Sequence, residues 1–112
     1  MRIVSTMLLA LAVSPAGAAE THAEGRRIFT QVCSACHANA MSEAPQVKQA
    51  DAWKPRLAKG RDALYLSALN GFVGASGEEM PPRGGRPDLK DDEVRAAVDY
   101  IVFITHQKGS KP

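Results

Sequence analysis

Apolar residues recur at the spacing of an amphipathic helix in four segments of this chain. Each segment begins at or just after a residue that commonly caps a helix, namely Thr21, Asp51, Asp62 or Asp91. No segment shows the alternation of apolar and polar residues that is typical of a half-buried strand. The pattern therefore predicts an all-α protein of about four helices.

The first and last segments have the clearest apolar faces, and Thr21 and Glu24 form a predicted capping box ahead of the first. In the third segment, Asn70-Gly71 predicts a left-handed stop. The positions predicted to face the core are Gly25, Ile28, Phe29 and Val32, then Tyr65, Leu66, Ala68 and Leu69, and finally Val94, Ala97, Val98, Ile101 and either Ile104 or Thr105.

Residues 72–89, between the third and fourth predicted helices, are rich in Gly and Pro and have too little regular pattern to predict an element. Long irregular loops in compact domains are usually functional. This loop is therefore a candidate part of a functional site.

The N-terminus has the pattern of a secretory signal peptide at residues 1–18. Arg2 gives it a basic start, residues 3–13 are mostly apolar, and Ala16-Gly17-Ala18 is a small-residue stretch. We expect cleavage after Ala18 or Ala19, which leaves residues 19–112 as one domain. A retained anchor is the alternative, but a membrane span needs about 20 apolar residues. For a bacterial chain, export predicts the periplasm and no stable membrane insertion after cleavage.

Charge and composition narrow the class of protein. The chain has 14 Lys and Arg against 12 Asp and Glu, a formal net charge of +2, which argues against nucleic-acid binding. It has one Trp, two Tyr and three Phe among 112 residues. A small domain with so few aromatic residues has little core of its own, so a large apolar cofactor would help to form one.

The sequence Cys33-Ser34-Ala35-Cys36-His37 contains both cysteines of the chain. In a C-x-x-C-H motif, the two thiols can add across the vinyl groups of a haem, and the adjacent imidazole can ligate its iron. A thioredoxin-like dithiol would need a βαβ context, which the pattern does not predict. A structural zinc site would need four ligands with suitable spacing. The motif therefore predicts one covalent haem c with His37 as an axial ligand.

Met80, in the loop at residues 72–89, is the candidate for the second axial ligand. A thioether is a soft ligand that raises the reduction potential of haem iron when His lies opposite. Its polar flanks and the following Pro81-Pro82 favour a ligand over a methionine that fills a gap in the core. Among the competitors, Met41 is close to His37 in sequence, and His22 and His106 belong to the two predicted terminal helices.

Several motifs together carry a resemblance that covers nearly all of residues 19–112. Besides the cysteine motif they are Gly25 and Phe29, Ala44-Pro45, Ala52-Trp53-Lys54-Pro55-Arg56, Ala58-Lys59-Gly60, Leu69-Asn70-Gly71, Met80-Pro81-Pro82-Arg83-Gly84-Gly85 and residues 91–101. In these the chain resembles the class I cytochromes c, and more closely the cytochrome c5 group. The resemblance implies a helical fold around one haem, with the first and last helices crossing at Gly25 and with Phe29 near Tyr100.

The resemblance also implies supporting roles around the haem. The carbonyl of Pro45 should accept a hydrogen bond from the imidazole of His37, which would fix the ring. Trp53 and Arg56 should hold a haem propionate, although Trp53 could instead be a core aromatic and Arg56 a solvated side chain. Three features depart from the c5 pattern: there is no second cysteine pair, the loop at residues 74–79 is longer, and Lys90 stands where a Ser often caps the last helix, so that Asp91 would take over as the cap.

These features predict a soluble periplasmic carrier that transfers single electrons between redox proteins and is not an enzyme. Candidate partners are a membrane quinol-oxidising complex, a terminal oxidase or reductase, or a periplasmic dehydrogenase. The alternatives are a haem subunit of a dehydrogenase or oxidase complex, and a ligand-sensing haem protein. Docking is predicted to involve a basic surface formed by Lys48, Lys54, Arg56, Lys59, Arg61, Arg83 and Arg86.

Overall fold

The computed structural model describes residues 10–12 and 21–109. The predicted cleavage site lies outside these residues, as does most of the predicted signal peptide. The helices are α1 (Ala23–Ile28), a π-helical turn (Phe29–Cys33), α2 (Ser34–His37), α3 (Ala50–Leu57), α4 (Arg61–Asn70) and α5 (Asp91–Gly109).

The first helical run is continuous from α1 through the π-helical turn into α2, so residues 21–109 contain four α-helical runs, as the apolar pattern predicts. The π-helical turn ends at Cys33, the first residue of the cysteine motif. Turns of this kind are rare in proteins, and those that occur are often found at functional sites. The apolar pattern does not reveal this turn.

Helix α1 crosses α5 at Gly25, where the two backbones are in contact. A Cβ atom on Gly25 would lie 2.1 Å from the carbonyl oxygen of Ala96. One turn further on, the rings of Phe29 and Tyr100 meet edge to face, with 5.5 Å between their centroids. Both contacts implied by the resemblance are therefore present.

The core consists of two clusters of buried side chains, and the partly buried Cys33 packs against both. Cluster A is defined by Ile28, Val32, Ala68, Leu89, Val94, Ala97 and Val98. Cluster B is defined by Phe29, Val47, Trp53 and Ile101. Helices α1 and α5 and the π-helical turn contribute most of these residues, in agreement with the predicted apolar faces.

Several details of the predicted helices are wrong. The residue at the capping position of α1 is His22 and not Thr21, and Glu24 pairs with Arg27 at 2.8 Å instead of completing a capping box. Asp51, Asp62 and Asp91 lie in the first turns of their helices and are not the capping residues.

The predicted inward faces are wrong at one residue, Leu66, and the structure decides one alternative that the sequence left open. Leu66 is 58% exposed, although the other predicted residues of α4 are buried or partly buried. Of the two residues proposed for the end of the inward face of α5, Ile104 and Thr105, the buried one is Thr105, which is 2% exposed. Its hydroxyl donates a hydrogen bond to the carbonyl of Ile101 at 2.7 Å. That bond satisfies the polar group inside the core.

The loop at residues 72–89 contains more regular structure than predicted. Strands β1 (Phe72–Val73) and β2 (Glu79–Met80) form an antiparallel pair, and a 3-10 helix follows at Pro82–Gly85. Two-residue strands are too short to give a periodic signal. Gly71, just before β1, ends α4 with a positive φ of +84°, but its ψ of 167° differs from the left-handed helical conformation of the predicted stop.

Within residues 10–12 and 21–109, no helix is both long enough and apolar enough to span a membrane.

Candidate functional site

His37 ends α2 and is 8% exposed. Its Nδ1 lies 2.8 Å from the carbonyl oxygen of Pro45. Since a carbonyl can only accept, Nδ1 donates, and the neutral ring keeps its lone pair on Nε2. Burial is the main reason that the pKa of His37 lies below its usual value; the bond to Pro45 opposes this, and the charge of Arg56 adds to it. The imidazole is thus held in the form that binds a metal.

Two hydrogen bonds tie the loop that carries Pro45 back to the cysteine motif, and a third lies within the loop. The side-chain amide of Gln46 donates to the carbonyls of Cys36 at 2.8 Å and Ala44 at 2.9 Å. The amide of Val47 donates to the carbonyl of His37 at 2.9 Å. These bonds fix the Pro45 carbonyl that orients the imidazole, and the sequence motifs did not point to Gln46.

Trp53 lies in cluster B and is 6% exposed, as expected of a core aromatic. Its indole N–H donates to the carbonyl of Gln46 at 3.0 Å, and its ring centroid lies 5.6 Å from that of His37. The indole has one N–H donor, and in this structure that donor is directed at Gln46. Trp53 thus supports the loop that orients His37.

We expect Trp53→Phe to lower the free energy of unfolding by about 1–2 kcal/mol, because the partly buried carbonyl of Gln46 loses its donor. Chemical denaturation of the purified protein measures this. Tyr65→Phe is the matched control, since it also removes one donor, but the acceptor Asp99 keeps its pair with Arg61 at 3.0 Å. Equal losses in the two variants would contradict the role given to Trp53.

Cys33 is partly buried and Cys36 is exposed, and no disulfide joins them. Burial is the main reason that the pKa of Cys33 is raised. Within the described part of the chain, no three His, Cys, Asp or Glu side chains converge as metal ligands. The structure therefore gives the zinc alternative no support.

Met80 lies in strand β2, directly opposite Phe72 of β1. Its side chain is partly buried and packs against cluster A. Gly71 touches the same segment, because a Cβ there would lie 2.9 Å from the Met80 carbonyl oxygen and 3.0 Å from Pro82 Cδ. The alternative ligand Met41 is 92% exposed. Of these two methionines, only Met80 borders the core.

Arg56, near the end of α3, is half-buried, and its guanidinium donates to the carbonyl of Ala52. Its charge contributes to the lowered pKa of His37. The pKa of Glu78 is also lowered, mainly by the hydrogen bond from Ser76, and the charge of Arg56 contributes to this shift. Arg56 therefore lies within electrostatic reach of both the imidazole and the Met80 loop.

The predicted site residues thus occupy two sides of one region. His37 contacts the Trp53 ring of cluster B, Met80 packs on cluster A, and Cys33 touches both clusters. A flat apolar group bonded to Cys33 and Cys36 would border both clusters, so the residues present fit a haem. A helical fold with this arrangement defines a cytochrome c.

Comparisons with known proteins lead to the same class. The profile of the family described as "Cytochrome C oxidase, cbb3-type, subunit III" matches residues 20–101. Cytochrome c-555 of Chlorobaculum tepidum is 36% identical over 103 residues, covering 90% of this chain and 94% of that protein. Cytochrome c5 of Azotobacter vinelandii is 38% identical over 76 residues, covering 66% of this chain and 86% of that protein.

A solved structure gives the same result. A cytochrome c in an electron transfer complex with nitrite reductase matches with a TM-score of 0.62 and 36% identity, covering 73% of this chain and 94% of that one. The chain belongs to the class I cytochrome c family. This confirms the predicted fold class and the covalent haem c. The relatives are electron carriers and not enzymes.

Proposed function

We propose that this protein is an exported, mono-haem electron carrier of the periplasm, with His37 and Met80 as the two axial ligands of the haem iron. The observation that carries the proposal is the placement of His37 beside cluster B and of Met80 on cluster A, with Cys33 between them. Two protein ligands fill both axial positions, which favours electron transfer over binding of a substrate at the iron.

The protein residues prepare this site before any electron arrives. Pro45 holds the His37 ring, Gln46 and Trp53 hold the loop that carries Pro45, and Met80 lies in the β pair. When bound, the haem supplies the one-electron chemistry. A rigid set of ligands keeps both oxidation states in similar geometry, so electron transfer needs little rearrangement.

Arg56 is the proposed partner of a haem propionate. It is half-buried and lies within electrostatic reach of His37. A guanidinium can form two parallel hydrogen bonds with a carboxylate, which suits a partly buried propionate. The Ala52 carbonyl already holds one side of the guanidinium and so limits its orientations.

The proposed export rests on the N-terminal pattern of residues 1–18 and the predicted cleavage after Ala18 or Ala19. The family match begins at residue 20, close to that position. Attachment of haem c outside the cytoplasm fits the same route.

The proposed partners are redox proteins: a membrane quinol-oxidising complex, a terminal oxidase or reductase, or a periplasmic dehydrogenase. The basic surface available for docking is smaller than the sequence predicts, because four of its seven cations form ion pairs with nearby acids. They are Lys54 with Asp51, Arg61 with Asp99, Arg83 with Asp91, and Arg86 with Asp88. Lys48, Arg56 and Lys59 pair with no acid in the described part of the chain. Electrostatic steering should therefore be modest.

A second candidate function is a haem subunit bound permanently to an oxidase or dehydrogenase. The oxidase-subunit description of the matching family favours it. In the described part of the chain after residue 20, the exposed large apolar residues are few, namely Met41, Leu66, Phe72 and Val73, whereas a permanent interface is usually large and hydrophobic. We therefore favour the free carrier.

The test is to purify the protein from its periplasm and record its mass and visible spectra. We expect a denatured mass equal to the cleaved chain plus one haem, low-spin spectra with a weak far-red sulfur-to-iron band, and no carbon monoxide binding at neutral pH. A mass of the bare chain would exclude covalent haem, and rapid carbon monoxide binding would favour a sensor. Purification only with a catalytic chain would favour the subunit.

A further inference from the structure

Arg83 has a backbone conformation that L-residues rarely adopt. Its φ of 56° and ψ of 28° lie in the left-handed region, and no other non-glycine residue in the described ranges has a positive φ. The next two residues, Gly84 and Gly85, also have positive φ values. Such a conformation persists only where the surrounding structure holds it. The side chain of Arg83 is therefore expected to make contacts that offset the strain.

Two such contacts are present. Nη1 of Arg83 donates to the carbonyl of Leu89 at 2.8 Å, and Nη2 donates to Oδ1 of Asp91 at 2.5 Å. The guanidinium is half-buried, with a side chain that is 26% exposed. The hydrogen bond from Arg83 is also the main reason that the pKa of Asp91 is lowered. The side chain of Arg83 therefore bonds both Leu89, in the loop, and Asp91, the first residue of α5.

The contacts join two elements that meet at the functional site. Arg83 follows Met80 by three residues, with Pro81 and Pro82 between them. Two prolines restrict the backbone, so displacement of Arg83 is transmitted to Met80. On the other side, α5 forms much of cluster A, on which Met80 packs. The guanidinium thus connects the Met80 loop to the helix that supports it.

We propose that Arg83 is a positioning residue that holds Met80 on the haem iron by bonding the loop to the start of α5. This inference rests on the proposed ligation by Met80. For Met80 to leave the iron with its loop, both bonds of Arg83 must break. Loss of the guanidinium should therefore raise the population of protein whose sixth coordination position is open.

The experiment is an imidazole titration of the ferric protein, followed through the weak far-red sulfur-to-iron band. Imidazole competes with Met80, and its apparent affinity rises in proportion to the open population. We expect Arg83→Gln to bind imidazole about tenfold more tightly than the wild type, the effect of losing one charge-assisted hydrogen bond. Asp91→Asn keeps the bond to Leu89 and should give a smaller increase.

Arg86→Gln is the matched control. Arg86 lies in the same loop, but its partner Asp88 is only two residues away and both side chains are largely exposed. This variant should bind imidazole like the wild type. Because Asp91→Asn and Arg83→Gln act on one contact, their effects should not add in the double variant.

The outcomes separate this inference from the proposed ligation. A wild-type protein without the sulfur-to-iron band would overturn ligation by Met80. A normal band with unchanged imidazole affinity in Arg83→Gln, or an equal rise in Arg86→Gln, would overturn the role of Arg83 alone. If Arg83→Gln yields no holoprotein, the Asp91→Asn variant is the test. An imidazole affinity of Asp91→Asn equal to that of the wild type would then reject the inference.

Discussion

Replacement of Met80 by alanine should abolish the sulfur-to-iron band of the ferric protein and allow carbon monoxide to bind the ferrous form. It should also lower the reduction potential by on the order of 0.1 V, because the thioether stabilises ferrous iron and axial ligands span about 0.8 V in haem proteins. Visible spectroscopy and a redox titration measure these changes. The expected effect is large because Met80 is the proposed ligand that borders the core.

Met41→Ala is the control for this variant, since it removes the same chemical group from a side chain that is 92% exposed. It should leave the spectrum and the potential unchanged. A sulfur-to-iron band that survives Met80→Ala and disappears in Met41→Ala would assign the ligand to Met41. If the band persists in each of the two single variants, neither Met80 nor Met41 is the only residue that can supply the sulfur ligand.

Replacement of Gly25 by alanine should strongly destabilise the fold. Alanine normally stabilises a helix interior by about 0.5–1 kcal/mol relative to glycine. Here the new methyl group would lie 2.1 Å from the backbone oxygen of Ala96, and backbone cannot move aside as a flexible side chain can. We expect a net loss of about 3 kcal/mol, which corresponds to a fall in Tm of roughly 15 °C for a domain of this size. Thermal unfolding followed by circular dichroism measures it.

Gly77→Ala is a useful comparison because a Cβ at that position meets nothing within 4 Å. Its φ of +88° still disfavours alanine, so we expect a smaller loss of about 1–2 kcal/mol. Gly25→Ala with stability equal to or above the wild type would show that α1 and α5 are not in backbone contact in solution. The comparison thus separates steric contact from backbone strain.

The sequence by itself determined the features that depend on residues close together in the chain. The C-x-x-C-H motif needs five consecutive residues to predict its covalent chemistry, and helical periodicity is visible within each segment. These local signals predicted four helices, a covalent haem c and the apolar faces of α1 and α5. The resemblance added contacts that periodicity does not predict, and the structure has those of Gly25 with α5, of Phe29 with Tyr100 and of His37 with Pro45.

Only the tertiary structure decided where competing donors and acceptors find their partners. The indole of Trp53 could have reached a propionate, but the nearby loop offers it the carbonyl of Gln46. Asp91 could have capped α5, but Arg83 takes its carboxylate. Neither choice has a periodic signal, because each depends on groups that meet only after the chain has folded. Local sequence therefore fixed the chemistry and the helices, whereas packing between distant segments fixed the hydrogen bonds around the proposed ligands.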